Sequence, residues 1–152
     1  MDAIDHRIIR ALQKDGRMKI ADLAEEVGLS ATPCARRLER LQSEGVITGY
    51  SARVDADKLG LPVTVFVSVE LEQQARGGVD AFERAIGAFD EVMECHLMTG
   101  SRDILLRVVV ADLAAFDRFL ETRLMNVPGI RNMRSNFALR AMVRREVLPA
   151  AP

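Results

Sequence analysis

The stretch that decides the fold covers residues 20–47 and has the sequence IADLAEEVGLSATPCARRLERLQSEGVI. Its first part has apolar residues at helical spacing and ends at Gly28, which predicts a short helix. Its second part begins at Ser30, a residue type that often precedes the first turn of a helix, and ends at Gly45. A short helix, a turn and a longer helix form the helix-turn-helix pattern, in which the second helix enters the major groove of DNA.

The flanking residues complete a helical first half. A further helix is predicted before this pattern, because apolar residues recur there at helical spacing (Ile4, Ile8, Ile9 and Leu12). This helix ends at Asp15-Gly16. Residues 46–50 follow as a short predicted strand that Ala52 and Val54 continue, and this strand would form a small wing.

The second half alternates between strands and helices. The predicted elements are a strand over 63–71, a helix around 82–89, strands over 92–99 and 104–110, a helix around 113–124, and a strand from 130 to about 143. Gly100-Ser101 suits a tight hairpin between the two central strands. The fold class is therefore α+β, with a winged helix-turn-helix followed by a ferredoxin-like βαββαβ domain. The predicted boundaries are 1–49, a linker strand 50–61, 62–146 and a tail 147–152 without periodicity.

The composition excludes several classes of protein. The 152 residues include two cysteines and two histidines, too few for a disulfide framework or a His/Cys-rich metal site. No apolar run approaches the roughly 20 residues of a membrane span. The sequence therefore predicts a cytoplasmic protein with no metal, no cofactor and no membrane partner.

The third predicted helix carries the candidate DNA contacts. If Cys34, Leu38 and Leu41 face inward, the three arginines of this helix face outward, where they can bind guanine edges or phosphate. The full set of candidates is Ser30, Thr32, Pro33, Arg36, Arg37, Arg40 and Arg53. A merely solvated helix face, with Glu39 and Glu44 as ion-pair partners, would explain the same arginines.

The overall charge does not exclude DNA binding. The chain has 21 Lys+Arg and 22 Asp+Glu, a formal net charge of −1. Residues 30–53, however, hold four arginines against two glutamates, an excess of +2. The neutral total therefore hides a modest basic surface, which a dimer would present twice.

Stretches in both halves resemble one known family. In the first half they are Ile4-Asp5 with Ile8-Ile9, Leu12-Gln13-Lys14-Asp15-Gly16-Arg17, Val27-Gly28-Leu29-Ser30, Thr32-Pro33-Cys34, Arg37 with Leu38 and Leu41, and Gly45-Val46-Ile47 with Gly49-Tyr50. In the second half they are Val65-Phe66-Val67, Glu94-Cys95-His96-Leu97, Gly100, Asp103 and Val127-Pro128-Gly129-Ile130. They fall at matching distances over nearly the whole chain, which is therefore similar to the Lrp/AsnC (leucine-responsive and asparagine-responsive) transcription regulators, the feast/famine proteins.

The resemblance implies more than the fold. It implies a DNA-binding regulator without enzymatic activity, associated with the nucleoid, whose C-terminal domain senses a ligand and assembles the protein. It also implies homodimers that assemble further, commonly into octameric rings. The expected partners are double-stranded DNA and a small effector, usually an amino acid, bound between subunits.

The predicted hairpin holds most of the candidate effector residues. Gly100 permits close backbone approach, Asp103 can accept from an ammonium group, and Arg102 can pair with a carboxylate. A plain turn with a solvent-facing ion pair explains the same residues, and the resemblance favours an effector role for Gly100 and Asp103. The full set is Leu97, Thr99, Gly100, Ser101, Arg102, Asp103, Asn136 and Ala138, of which the last two would close the pocket.

This loop departs from the family pattern Gly-Asp-x-Asp-Tyr. Ser101 stands in place of the first Asp and Ile104 in place of the Tyr, while Arg102 adds a positive charge. We therefore hypothesise that Arg102 adapts the pocket to an amino acid other than leucine or asparagine, or to an acidic metabolite.

One face of the predicted sheet carries apolar residues that its own helices would not cover. These residues are Phe66, Leu105 and Val109. A βαββαβ sheet leaves its second face open, so large apolar residues there predict a homodimer interface. Alternatively, the N-terminal half of the same chain packs over this face of the sheet.

Two other functions remain as alternatives. Tetrapyrrole (siroheme) decarboxylases resemble this family in both domains and use histidine and arginine residues, but this chain has only two histidines. Cys95 and His96 do not form a catalytic pair, because consecutive side chains on a strand point to opposite faces. The second alternative is an assembly protein with no role in DNA binding.

Overall fold

The computed structural model describes residues 1–72 and 76–149. They divide into two compact units, which we call the helical unit (1–53 with 142–149) and the sheet unit (54–141). The domain boundaries given above remain a prediction, and residues 150–152 of the predicted tail lie outside the described residues.

Three helices form the helical unit, at the positions that the apolar spacing predicts. They are α1 (Ala3–Lys14), α2 (Ile20–Val27) and α3 (Ala31–Ser43). Their apolar stripes meet in one core, made of Ile8, Ala11, Leu12, Leu23, Ala24, Val27, Cys34 and Leu41. The helix-turn-helix prediction is confirmed, since α2 and α3 are separated only by residues 28–30.

The predicted wing strand is wrong. Residues 46–54 contain no strand. The backbone N–H groups of Val46 and Ile47 instead both donate to the carbonyl of Leu41, at 3.0 and 3.1 Å, so the chain folds over the end of α3. A strand needs a neighbour that pairs with its backbone groups, and none of the strands among residues 1–72 and 76–149 pairs with this segment.

The sheet unit has the predicted βαββαβ order. Its elements are β1 (Val63–Leu71), α4 (Arg76–Ile86), β2 (Val92–Leu97), β3 (Ile104–Val110), α5 (Leu113–Thr122), a 3₁₀ turn (Leu124–Asn126) and β4 (Ile130–Phe137). The antiparallel strands lie in the order β2-β3-β1-β4. One face, formed by alternate residues such as Val65, Val67 and Leu106, packs on α4 and α5 through Phe82, Phe116 and Phe119.

Two strand ends differ from the prediction. The last strand stops at Phe137 rather than near residue 143, because its partner β1 begins at Val63 and the preceding Pro62 has no N–H to extend the ladder. β2 stops at Leu97, which pairs with Ile104, so residues 98–103 form a six-residue connection instead of a two-residue hairpin.

The chain end returns to the helical unit. The N–H of Leu148 donates to the Gln13 side-chain oxygen at 2.6 Å, and Glu146 pairs with Arg53 at 2.9 Å. None of the described helices is long and apolar enough to cross a membrane.

Candidate nucleic-acid interface and effector site

The solvent-facing side of α3 carries one arginine and one threonine that point away from the core. Thr32 and Arg36 are four residues apart, and both are exposed. Within 1–72 and 76–149, no carboxylate lies within ion-pairing distance of Arg36. Cys34 and Leu41 are fully buried on the opposite side, so helical geometry alone points Arg36 outward.

Arg37 and Arg40 both pair with carboxylates of α1, Arg37 with a half-buried side chain (27% exposed) and Arg40 with an exposed one (46%). Arg37 Nη1 donates to Asp2 Oδ2 at 2.6 Å and to Asp5 Oδ1 at 2.8 Å, and Arg40 Nη2 donates to Asp5 Oδ2 at 2.7 Å. We call these four residues the acid–arginine cluster. Asp5 is only 1% exposed, the one charged side chain in the described residues that is buried. A buried carboxylate requires paired charges and hydrogen bonds, which explains why the two arginines turn toward α1.

Hydrogen bonds within the cluster shift the pKa values of Asp2, Asp5 and Arg37. The hydrogen bond from the backbone N–H of Asp5 and the one from Arg37 lower the pKa of Asp2 from 3.8 to about 2. Burial raises the pKa of Asp5, but the hydrogen bonds from Asp2 and Arg37 together with the charge of Arg40 outweigh it and lower that pKa. The pKa of Arg37 is raised by its hydrogen bonds to Asp2 and Asp5. Both carboxylates and the Arg37 guanidinium are therefore charged at neutral pH.

No role is predicted above for Asp2 or Asp5, although Ile4-Asp5 is one of the stretches that resemble the family. Asp2 is the N-cap of α1 and Asp5 is the third residue of its first turn, and each accepts a hydrogen bond from the backbone of the other. This spacing is a recognisable capping box. Their pairing with arginines more than 30 residues away is a tertiary contact with no local sequence signal.

The N-terminus of α3 leaves hydrogen-bonding groups open. Ser30 has the extended backbone of an N-cap, but its side chain makes no capping hydrogen bond. The reason is Pro33, which lies at the third helical position and lacks the N–H that an N-cap side chain often binds. The Ser30 hydroxyl and the first N–H groups of α3 therefore lie together at the positive end of a helix dipole, where an anion is favoured.

Arg53, the remaining predicted DNA contact, is held within the helical unit. It donates from Nη2 to the carbonyl of Lys14 at 3.2 Å, at the end of α1, and pairs with Glu146 through Nη1. The prediction placed it beside a wing strand that does not form.

The predicted effector loop is organised around Asp103. Its Oδ2 accepts from the N–H of Leu71 at 2.8 Å, where the pairing of β1 with β4 becomes irregular, and its own N–H donates to the carbonyl of Val69. Arg102 pairs with Glu70. Gly100 has a φ of +116°, a conformation that other residues rarely adopt. Thr99 and Ser101 are exposed beside it.

The structure does not bring all eight effector candidates together within one chain. Asn136 pairs opposite Phe66, and the N–H of Ala138 donates to the carbonyl of Thr64, so both lie toward the start of β1. The loop 98–103 lies toward the end of β1. Within one chain, antiparallel pairing therefore places Asn136 and Ala138 near the opposite end of β1 from the loop, and their closing of a pocket between subunits stays a prediction.

A cavity of about 410 Å³ lies next to the loop, between α4 and β2. Its lining is formed by Val79, Asp80, Phe82, Glu83, Cys95, Leu97 and Ile104. Leu97 is the one predicted effector residue among them. The floor is mostly apolar, with two carboxylates beside it, and its size suits a small organic ligand. Within the described residues no group of three or more His, Cys, Asp or Glu side chains could hold a metal ion.

Comparison with known proteins gives a direct assignment. Residues 1–48 match a family model described as winged helix-turn-helix DNA-binding, and residues 64–148 match the Lrp/AsnC ligand binding domain. The chain belongs to the Lrp/AsnC family of transcription regulators.

Individual relatives agree along almost the whole chain of this Lrp/AsnC regulator. It is 46% identical over 149 residues to the Bkd operon transcriptional regulator of Pseudomonas aeruginosa, covering 98% of this chain and 97% of that protein. A transcriptional regulator from Neisseria meningitidis, solved as a complex with L-Met, has a TM-score of 0.93 and 30% identity, with 98% and 96% of the two chains covered. An AsnC family regulator from Agrobacterium tumefaciens has a TM-score of 0.93 and 40% identity, with 98% and 97% covered.

The comparisons confirm the predicted fold class and the predicted regulatory function. They give no support to the tetrapyrrole decarboxylase or to an assembly protein without a DNA role. Cys95 and His96 of this Lrp/AsnC regulator pair opposite Leu106 and Leu105, on opposite faces of the sheet, so they do not form a catalytic pair.

The second face of the regulator's sheet gathers the predicted interface residues. Phe66 is 37% exposed and lies opposite Arg107, while the half-buried Leu105 and Val109, which is only 8% exposed within one chain, flank Arg107 on β3. Arg107 donates from Nε to Glu94 at 2.8 Å, and this hydrogen bond lowers the pKa of Glu94. The face is therefore an apolar strip beside a fixed ion pair, on the side of the sheet away from α4 and α5.

Proposed function

We propose that this Lrp/AsnC regulator contacts double-stranded DNA through the exposed side and N-terminus of α3. The observation that carries the proposal is the outward position of Arg36 and Thr32 beside the open helix N-terminus. Arg36 would bind a guanine edge or a phosphate, and Ser30 and Thr32 would hold phosphate with the first N–H groups of the helix. Pro33, also exposed, would contact a thymine methyl group.

Three of the predicted contacts are left out of this interface. Arg37, Arg40 and Arg53 already bind carboxylates or carbonyls within the helical unit. These ion pairs and hydrogen bonds hold the side chains in place and neutralise much of the charge that would attract phosphate.

A mobility-shift titration with a fragment of a promoter that the protein regulates tests this interface. We expect Arg36→Ala to weaken binding by about 1–3 kcal/mol if Arg36 contacts a base. A uniform loss on all sequences, with a salt slope smaller by about 1, would mark a phosphate contact instead. The matched control is Arg118→Ala, which removes an exposed arginine from α5 of the sheet unit. Equal behaviour of the two variants would contradict the proposal.

The effector that we propose is an amino acid or a closely related molecule. The Neisseria relative was solved with L-Met, and the loop 98–103 here adjoins a cavity with an apolar floor. A thermal-shift screen of the twenty amino acids tests this, because a ligand that binds the folded state raises the melting temperature by mass action. For a ligand found in this way, calorimetry on Arg102→Ala tests whether Arg102 sets selectivity, and unchanged affinities would contradict that role.

We propose further that the protein is a homodimer joined through Phe66, Leu105 and Val109, and that the dimers assemble into a larger ring, expected to be an octamer. We also propose that it acts in the cytoplasm in association with the nucleoid and is not an enzyme. The apolar strip on the open face of the sheet supports the dimer. Assembly would also let Asn136 and Ala138 of one subunit meet the loop 98–103 of another. The DNA-binding unit would then be presented more than once, which raises affinity without new contacts.

A further inference from the structure

We propose that the acid–arginine cluster is a specificity device: Asp2 and Asp5 withhold Arg37 and Arg40 from the DNA phosphates, so that binding depends on Arg36 and the neutral groups at the start of α3. This inference rests on the proposed contact of α3 with DNA.

The cluster has the geometry that such a device requires. Arg37 is four residues before Leu41 and three after Cys34, so it leaves α3 at the edge of the buried side, where Asp5 meets it. Its side chain is 27% exposed, and Arg40 reaches the second oxygen of the same carboxylate. Both oxygens of Asp5 are thus bound by guanidinium groups from consecutive turns of α3.

The charges of the cluster balance. Arg37 lies within hydrogen-bonding distance of both carboxylates, and Arg40 lies within that distance of Asp5. Arg40 is also 3.9 Å from Glu44 on its own helix. Of the three arginines on α3, only Arg36 therefore keeps a charge that nothing in the described residues neutralises.

This balance has a consequence for recognition. Non-specific affinity for DNA comes almost entirely from neutralised phosphates, and the salt dependence grows by about 0.9 for each one. Withholding two guanidinium groups lowers the non-specific affinity while leaving contacts to base edges intact. The ratio of specific to non-specific binding, which decides whether a regulator finds its site among many others, therefore rises.

Asp5→Asn tests the device directly, because it keeps the side-chain shape and removes the charge. Affinities for a promoter fragment and for an unrelated duplex are measured between 50 and 200 mM salt. We expect the slope of log K against log salt on the unrelated duplex to steepen by about 1 per subunit, because Arg40 loses its carboxylate while Arg37 still pairs with Asp2, and the preference for the promoter to fall. The matched control is Asp22→Asn, which removes one exposed carboxylate from α2 without touching an arginine. An unchanged slope in a folded Asp5→Asn protein would overturn the proposal.

A second comparison includes variants of the otherwise unchanged protein, which keep the buried Asp5. Arg37→Gln and Arg40→Gln retain a donor for Asp5 and should leave the salt slope of the otherwise unchanged protein as it is. In the Asp5→Asn background, Arg40→Gln should reduce the slope by about 1, because the freed arginine then contacts phosphate, whereas Arg37→Gln should reduce it less because Arg37 still pairs with Asp2. A reduction of about 1 in the unchanged background would overturn the proposal, and this comparison decides alone if Asp5→Asn does not fold. Failure of the proposed interface gives a different result from failure of the cluster proposal. If Arg36→Ala binds DNA as well as the unchanged protein, or if no protein in the series binds DNA, the proposed contact through α3 is wrong.

Discussion

At the scale of single residues, the neighbours of a charged side chain decide what it can bind. Arg36 and Arg37 are adjacent in the sequence, yet one faces solvent and the other binds two aspartates. One residue along a helix is a rotation of 100°, which is enough to separate a surface position from the edge of the core. Asp103 is a second example, because its carboxylate accepts a hydrogen bond from the backbone N–H of Leu71 in β1 although Asp103 itself lies in the loop 98–103.

Asp103→Ala should destabilise the sheet unit even without an effector. The substitution leaves the N–H of Leu71, in a residue that is only 2% exposed, without its 2.8 Å acceptor. A buried donor that loses its partner costs about 1–3 kcal/mol. Urea unfolding of the ligand-free protein measures the loss.

Asp103→Asn is the matched control, because its amide oxygen still accepts from Leu71. We expect it to be closer to the unchanged protein in stability. An Ala variant of unchanged stability that lost only effector binding would show that the carboxylate acts on the ligand alone.

At the scale of elements, the turn between α2 and α3 sets the helix-turn-helix. Gly28 ends α2 with a φ of 74°, and its N–H donates to Glu25 while that of Leu29 donates to Ala24. This left-handed cap stops the helix and redirects the chain into α3 within three residues.

Gly28→Ala should therefore cost about 1–2 kcal/mol of unfolding free energy. A Cβ at this position meets no atom within 4 Å, so the cost is purely conformational. Thermal or urea unfolding followed by tyrosine fluorescence measures it, since Tyr50 is the only tyrosine and lies in the helical unit.

The control for the turn is Gly28→Asn. Asparagine tolerates the left-handed region better than alanine, so the loss should be smaller. An Ala variant as stable as the unchanged protein would contradict this account of the turn.

At the scale of the whole molecule, the net charge of −1 conceals charges that are paired at a distance along the chain. Three of the four arginines that give residues 30–53 their positive excess form ion pairs with acidic residues far away in the sequence. These acidic residues are Asp2, Asp5 and Glu146. The distribution of pairs, rather than the total, decides which surface attracts DNA.

The helical unit should lose stability in acid. The folded pKa values of Asp2 and Asp5 are depressed, so their stabilising contribution is fully present above their ordinary value of 3.8. For Asp2 it is lost as the pH falls through about 2. Urea midpoints from tyrosine fluorescence at pH 5 to 2 should therefore decline over this interval.

Asp2→Asn provides the comparison for the acid profile. Asparagine is an equally good N-cap, so the variant removes the titrating group and keeps the helix start. Its midpoints should fall less steeply between pH 4 and 2. Parallel profiles for both proteins would mean that other groups cause the acid loss.

Phe66→Asp should disrupt assembly. A charge placed on the apolar strip with Leu105 and Val109 would have to be buried without a partner in the proposed dimer. Native mass spectrometry should show a smaller species than the unchanged protein forms. Leu113→Asp, at an exposed apolar position of α5, is the control and should keep the original mass. An unchanged mass for Phe66→Asp would argue against this interface.

The sequence by itself determined the elements and their order. Apolar residues at a spacing of three and four predicted α1, α2 and α3, and the alternation of valines with polar residues predicted β1 and the face that it buries. These patterns are local, because a helix or strand that buries one side must repeat its apolar residues with its own period. The family resemblance rests on the same local stretches.

Only the tertiary structure decided which distant groups meet. It turned Arg37 and Arg40 toward α1, replaced the wing strand by a segment folded over α3, and placed Asn136 away from the loop that carries Gly100. Periodicity states which side of an element is apolar, but not which element that side packs on or where a partner strand begins. Charged pairs such as Asp5 with Arg37 follow from the packing of α1 on α3, and the side chains then take the orientation that leaves no buried charge unpaired.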